Sequence, residues 1–160
     1  MQFTQSISYP GTVDEVVAMY LTPAYLERRF GQFVVEGSQA VSVEGERVSF
    51  AGTVRPELIP AAAARFVKSD LRVSFTEEWT RGEAGATSRT SVTVDGAPVS
   101  VEATSTLTNA EAGSVRDVTG NVSVRVPLLG GRIEKEAVAH LGRVVEREQA
   151  LAAQWLEEHR

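Results

Sequence analysis

Cysteine is absent from the 160 residues, which excludes disulfides, thiolate nucleophiles and cysteine-ligated metals. Histidine is scarce: His140 and His159 are the only two, 19 residues apart on what reads as one helix, too far to share an ion. No metal site and no cofactor is therefore expected. Positive charge is short as well, with 16 Lys+Arg against 21 Asp+Glu and a net charge of −5. A nucleic-acid partner needs a basic footprint to displace counterions from phosphates, and none is present. No run approaches the roughly 18 apolar residues of a membrane span. The start, Met1-Gln2-Phe3-Thr4-Gln5, has neither a basic beginning nor an apolar h-region, so no secretory signal is read. Also missing are a Gly-x-Ser-x-Gly elbow and a glycine-rich phosphate loop, which argues against hydrolase chemistry. The simplest expectation is a cytoplasmic, disulfide-free protein. Ordinary composition, 42% hydrophobic and 23% charged, with no repeat and no long linker, points to a single domain over residues 1–160.

What the sequence does have is alternation. Gln2 to Tyr9 sets Phe3, Ile7 and Tyr9 on one face and Gln2, Thr4, Ser6 and Ser8 on the other, a strand with one wet side. Pro10-Gly11 breaks it, and Thr12-Val13-Asp14-Glu15 fits a capping box opening a short helix that runs to Tyr20. Thr22-Pro23 starts a second helix, Pro23 to Phe30, stopped by Gly31. From Phe33 a period of two returns. Phe33, Val35, Val41 and Val43 read as one strand bulged near Gly37-Ser38, and Val48, Phe50 and Val54 as the next. Pro56 to Asp70 interrupts the pattern with two prolines and an alanine run, a loop holding a short helix. Four further strands follow: Leu71 to Arg81, Ala86 to Val94, Val99 to Thr108 and Ser114 to Val126. Short turns join them, so they are antiparallel. Gly130 to Glu157 is a long helix on which Ile133, Ala137, Leu141, Val144, Leu151, Ala152 and Trp155 form one apolar stripe. The resulting class is α+β, a curved seven-stranded antiparallel sheet wrapped on the C-terminal helix, with two short helices after strand 1.

That order, with Val126-Pro127-Leu128-Leu129-Gly130-Gly131-Arg132-Ile133-Glu134-Lys135 leading into the long helix, resembles the START-like superfamily. This is the helix-grip fold of birch-pollen allergens, lipid-transfer domains and polyketide cyclases. More closely the chain looks like an uncharacterised actinobacterial domain-of-unknown-function family within that superfamily. The match rests on the Pro-x-x-Gly-Gly helix start, the closing Gln154-Trp155-Leu156, the segment Gly96-Ala97-Pro98-Val99 and Trp79. It covers nearly the whole length, but its motifs are turns and packing residues. The resemblance implies a cavity between sheet and helix that holds an apolar small molecule, and it carries over no catalytic residue.

Two carboxylates stand out. By helical angle Glu148 falls between Val144 and Trp155, inside the apolar stripe. There its carboxyl must be paired, protonated or next to water, and burial alone would raise its pKa. The functional reading is a polar anchor in a ligand cavity; the bland one is a structural pair with an arginine. Glu77 shares strand parity with Leu71, Val73, Phe75 and Trp79 and so faces the helix. Were Glu77 and Glu148 to approach, one would hold a proton near neutral pH; alternatively Arg81 or Arg116 neutralises Glu77. Trp79, Phe75, Leu141, Val144, Leu151 and Trp155 complete the candidate lining, with core filling as their bland reading. Leu58, Ile59 and Phe66, in a connection longer than its strands require, are candidates for a gate. Three readings follow. The first is a binding or carrier protein for an apolar or amphipathic, lipid- or polyketide-like small molecule. The second is a cyclase- or dehydratase-type enzyme using a cavity carboxyl as general acid or base. The third is an interaction protein whose centre is filled by side chains.

Overall fold

Strand alternation and helix caps place the elements close to where the residue pattern puts them. The computed structural model describes residues 1–59, 61–64, 67 and 70–160. In chain order they are β1 (Gln2–Tyr9), α1 (Val13–Tyr20), α2 (Pro23–Phe30), β2 (Ala40–Glu44), β3 (Arg47–Thr53), α3 (Ala61–Ala64), β4 (Arg72–Gly82), β5 (Gly85–Asp95), β6 (Val99–Ala110), β7 (Gly113–Val124) and α4 (Gly130–Glu158). Helix α1 opens on the expected capping box: Glu15 N–H donates to Thr12 Oγ1 at 3.2 Å and Thr12 N–H donates to Glu15 Oε1 at 3.0 Å. Two orphan donors of the first turn are thereby satisfied.

The seven strands form one antiparallel sheet in the order β1-β7-β6-β5-β4-β3-β2. Every sequential pair from β2 to β7 is a hairpin neighbour, while β1 and β2 occupy opposite edges. The chain must therefore cross the sheet between them, and α1 and α2 are the segment that crosses. Helix α4 returns along the opposite margin and packs mainly on β1 and β7. Its start is clamped by Glu134, whose Oε2 accepts from Val124 N–H at 2.9 Å and whose Oε1 lies 3.4 Å from the N-terminal ammonium. This is the helix-grip, START-like fold.

Two expectations need correction. Phe33 and Val35 do not belong to β2: Phe33 ends a 3-10 turn, Gly31–Phe33, and Val34 makes only an isolated bridge to Val54. Gly37 then turns the chain through a left-handed conformation (φ 82°), leaving Phe33 39% and Val35 41% exposed. On α4, Val144 is 55% exposed, whereas Val145 packs on the core. The buried face runs through Glu148, Ala152, Trp155 and Leu156. Its centre lies closer to Ala152 than to Val144, so Val144 falls off its edge.

Apolar burial gathers in two clusters. One joins β1, α1, Tyr25, Trp79, Ala86, Leu107 and the C-terminal half of α4 around Ala152, Trp155 and Leu156. The other joins Leu26, Val34, Val48, Phe50 and Phe75. Between them lies a seam of charge.

Candidate functional site

Alternation along four adjacent strands delivers polar side chains to the concave face. Glu77 stands opposite Thr90 across β4–β5, and Ser88 stands opposite Ser105 across β5–β6. Arg116 stands opposite Leu107 across β6–β7, sharing the parity of Val118, Val122 and Val124. Its Nη2 donates to Glu77 Oε2 at 2.9 Å and to Ser88 Oγ at 3.1 Å, and its Nε donates to Ser105 Oγ at 2.9 Å. Trp79 Nε1–H at 3.0 Å and Thr90 Oγ1–H at 2.7 Å complete the shell of Glu77, which is 1% exposed. Burial pushes the Glu77 carboxyl up, but the guanidinium charges of Arg116 and then Arg29, with the Thr90 bond, bring it below the ordinary carboxylate range. Of the two alternatives for Glu77, neutralisation by an arginine is the one formed, and the arginine is Arg116. Arg81 pairs instead with Glu46 and Asp14.

The helices supply a second pair. Tyr9 and Tyr20 share a hydroxyl contact of 2.7 Å, and Tyr20 O–H donates to Glu148 Oε1 at 2.8 Å. Tyr20 has one proton to give, so Tyr9 donates to Tyr20. Arg29 Nε reaches both carboxylate oxygens of Glu148, at 2.9 and 3.1 Å. Glu148 therefore has the structural arginine partner named as its bland reading. The Arg29 guanidinium also lies 4.9 Å from the Tyr20 ring, 4.6 Å from Phe30 and 5.3 Å from Phe75. Arg116 lies 5.0 Å from Tyr20 and 4.8 Å from Trp79. Desolvation, then the Glu148 charge, raises the Tyr20 hydroxyl well above its usual value, so it stays a donor. The four charges balance and are fixed in place by hydrogen bonds.

The space a ligand could use lies beside this seam. On the concave face Val41, Val43, Val73 and Val92 are only partly buried. From Gly131 to Arg147 helix α4 has no buried residue at all. Helix α4 packs mainly on β1 and β7, and at one end of β4 to β6 the inward-facing Val73, Val92, Val99 and Val101 stay only partly buried. At that end is a cavity of about 240 Å³, lined by Leu58 and Ile59 from the loop, Leu71, Val94, Val99, Val124 and Ile133 among others. Every lining residue is apolar or glycine.

The sequence candidates fall into three groups. Glu77, Phe75, Trp79, Glu148 and Trp155 are buried in the clusters and the seam; Leu151 packs part-buried against the first cluster. They lie apart from the lining of the cavity. Leu141 is part-exposed on the open half of α4, and Val144 points to solvent. Leu58, 47% exposed, and Ile59 do line the cavity, while Phe66 lies outside the described residues. Sequence reasoning missed Tyr9, Tyr20 and Arg29. Arg116, named beforehand as a possible partner of Glu77, is that partner; strand parity alone would also have found Ser88 and Ser105 as inward-facing polar residues.

Comparison with known proteins agrees with this architecture. A family model described as "Protein of unknown function (DUF2505)" matches residues 4–156. Uncharacterised proteins of Mycobacterium tuberculosis and Mycobacterium bovis are 25% identical over 166 residues, covering 96% of this chain and 95% of theirs. Norcoclaurine synthase from Thalictrum flavum, solved in complex with dopamine and hydroxybenzaldehyde, superposes with a TM-score of 0.61 at 12% identity, covering 100% of this chain and 88% of that one. A conserved protein from Geobacillus kaustophilus gives 0.60 at 17%, covering 99% and 96%. The di-domain ARO/CYC StfQ of the steffimycin pathway gives 0.60 at 11%, covering 99% of this chain and 51% of that one. At these identities the likeness is one of fold.

Proposed function

The chain belongs to the DUF2505 family, and we propose that it binds or carries an apolar or amphipathic small molecule between α4 and the concave face of the sheet. One observation carries this: a wholly apolar cavity of about 240 Å³ lies between the Leu58–Ile59 loop, the ends of the sheet strands and Ile133 of α4, beside valines of β4 to β6 that stay only partly buried. A sealed apolar cavity of about 150 Å³ already accepts benzene. The larger volume here suits a ring with an alkyl tail, or the end of a longer chain, held by burial at roughly 25 cal/mol per Å². Norcoclaurine synthase, which shares the fold, was solved with two small aromatic compounds, dopamine and hydroxybenzaldehyde. Binding is favoured over acid–base catalysis because Glu77 is held ionised by Arg116, and Glu148 is engaged by Arg29 and Tyr20.

The test is thermal unfolding against a panel of alkylbenzenes. A ligand at about 100 times its Kd adds about 2.7 kcal/mol of apparent stability, which raises Tm by roughly 5–10 °C in a chain of this size. Val99→Trp, which fills the cavity, is expected to abolish the rise. A melting curve that no member of the panel moves contradicts the proposal.

A further inference from the structure

The cavity of about 240 Å³ has a floor and a mouth. Leu71, just before β4, and Val124, at the end of β7, are buried, whereas Leu58 on the loop is exposed. Between them strand register places Val94 and Val99, which pair with Val73 and Val124 on the neighbouring strands.

The described lining offers a polar group no side-chain partner, since it consists of Val, Leu, Ile, Ala and Pro residues beside Gly96. Its backbone is also engaged. Val54 N–H donates to the Leu71 carbonyl at 2.8 Å, and Val99 N–H donates to the Ala97 carbonyl at 2.9 Å. Ala97 N–H donates to the Val94 carbonyl, and Ile133 N–H to that of Leu129. The carbonyls of Pro98 and Val126 accept from Arg125 and Gly130, and Val124 N–H is taken by Glu134 Oε2. A hydroxyl or amide carried to the floor would lose its water and gain no partner there.

Volume sets a second limit. A cavity of about 150 Å³ holds the six carbons of benzene, so on the same scale 240 Å³ holds about ten. Resting on the ligand-binding proposal above, we infer that the cavity selects its ligand by length and by end group. It takes an unsubstituted hydrocarbon end of up to about ten carbons and leaves any polar group at the mouth beside Leu58. The ligand is then a one-ended amphiphile, in preference to a molecule functionalised at both ends. Val99 of β6 and Ile133 of α4, both on the lining, set the length limit.

The 1-alkanols from hexanol to dodecanol, titrated one by one into the intact protein, read that limit. Affinity is expected to rise about four-fold per added carbon as far as about ten carbons and then to level off. Ile133→Ala removes three carbons from the lining, and its affinities are expected to keep rising through dodecanol. Val99→Phe adds four and is expected to bring the break down to about six carbons, so that hexanol and dodecanol bind alike. A general loss of stability weakens every chain length alike and cannot move the break in opposite directions. 1,10-Decanediol is expected to bind about ten-fold or more weakly than 1-decanol, because its second hydroxyl finds no partner at the floor. A rise that runs unbroken through dodecanol in the unaltered protein, a break that neither variant moves, or a diol that binds as tightly as decanol overturns the inference and leaves the ligand-binding proposal standing. Failure of every alkanol to bind overturns that proposal as well.

Discussion

Arg116 is the side chain on which the buried seam depends most, since it ties β4, β5, β6 and β7 together through Glu77, Ser88 and Ser105. Arg116→Met leaves a buried, ionised Glu77 without its hydrogen-bonded partner, at a cost of about 3–5 kcal/mol. Adding Glu77→Gln to that variant removes the stranded charge and is expected to return at least about 1 kcal/mol in urea unfolding. Acid tests the same pair. The folded Glu77 carboxyl lies below its ordinary value of 4.5, so its contribution is complete above that pH and is lost as pH falls through the folded pKa. The Glu77→Gln variant should therefore show a shallower loss of stability below pH 4.5 than the unaltered protein. Equal slopes would place the acid sensitivity elsewhere.

Among the elements, the start of α4 shows how a motif becomes geometry. A Cβ on Gly130 would collide with the Val124 carbonyl, while one on Gly131 would meet nothing within 4 Å. The preceding Leu128 is fully exposed and adopts φ 68°, a left-handed turn that swings the chain from β7 back over the sheet. Gly130→Ala is accordingly expected to lose about 2 kcal/mol or more, as a backbone clash that repacking cannot relieve. Gly131→Ala is expected to be neutral or to gain up to about 1 kcal/mol from helix propensity. Denaturant midpoints of the two variants check this contrast. Elements of this kind were readable because their signals are local: the Thr12 capping box, Pro23 at a helix start, hairpin-spaced strands. The stretch from Phe33 to Val35 was not, because its alternation imitates a strand while the Gly31–Phe33 turn before it and the turn at Gly37 after it leave only a single bridge, Val34 to Val54.

At the scale of the whole molecule the protein has a packed half and an open half. Tyr9, Tyr20, Tyr25, Trp79 and Trp155 fill the space under the C-terminal half of α4, where Glu148 was expected to line a cavity. The open half lies under the earlier turns of the helix. Periodicity located Glu77 and Glu148 inside the fold, because parity and helical angle are properties of one element at a time. Choosing their partners was out of its reach: Arg116, 39 residues from Glu77, could be named only beside Arg81, and Arg29, 119 residues from Glu148, could not be named at all. The position of the apolar cavity depends on which strands α4 rests against, which no local pattern encodes.

The account rests on that cavity admitting a small apolar molecule. Methyl-labelled valine, leucine and isoleucine residues followed by NMR during hexylbenzene addition would report it site by site. Saturable shifts at Val92, Val94, Val99 and Ile133, with Val16 and Val17 of the packed half unmoved, are the predicted result. Unchanged spectra up to the solubility limit, or shifts confined to the packed half, would contradict it.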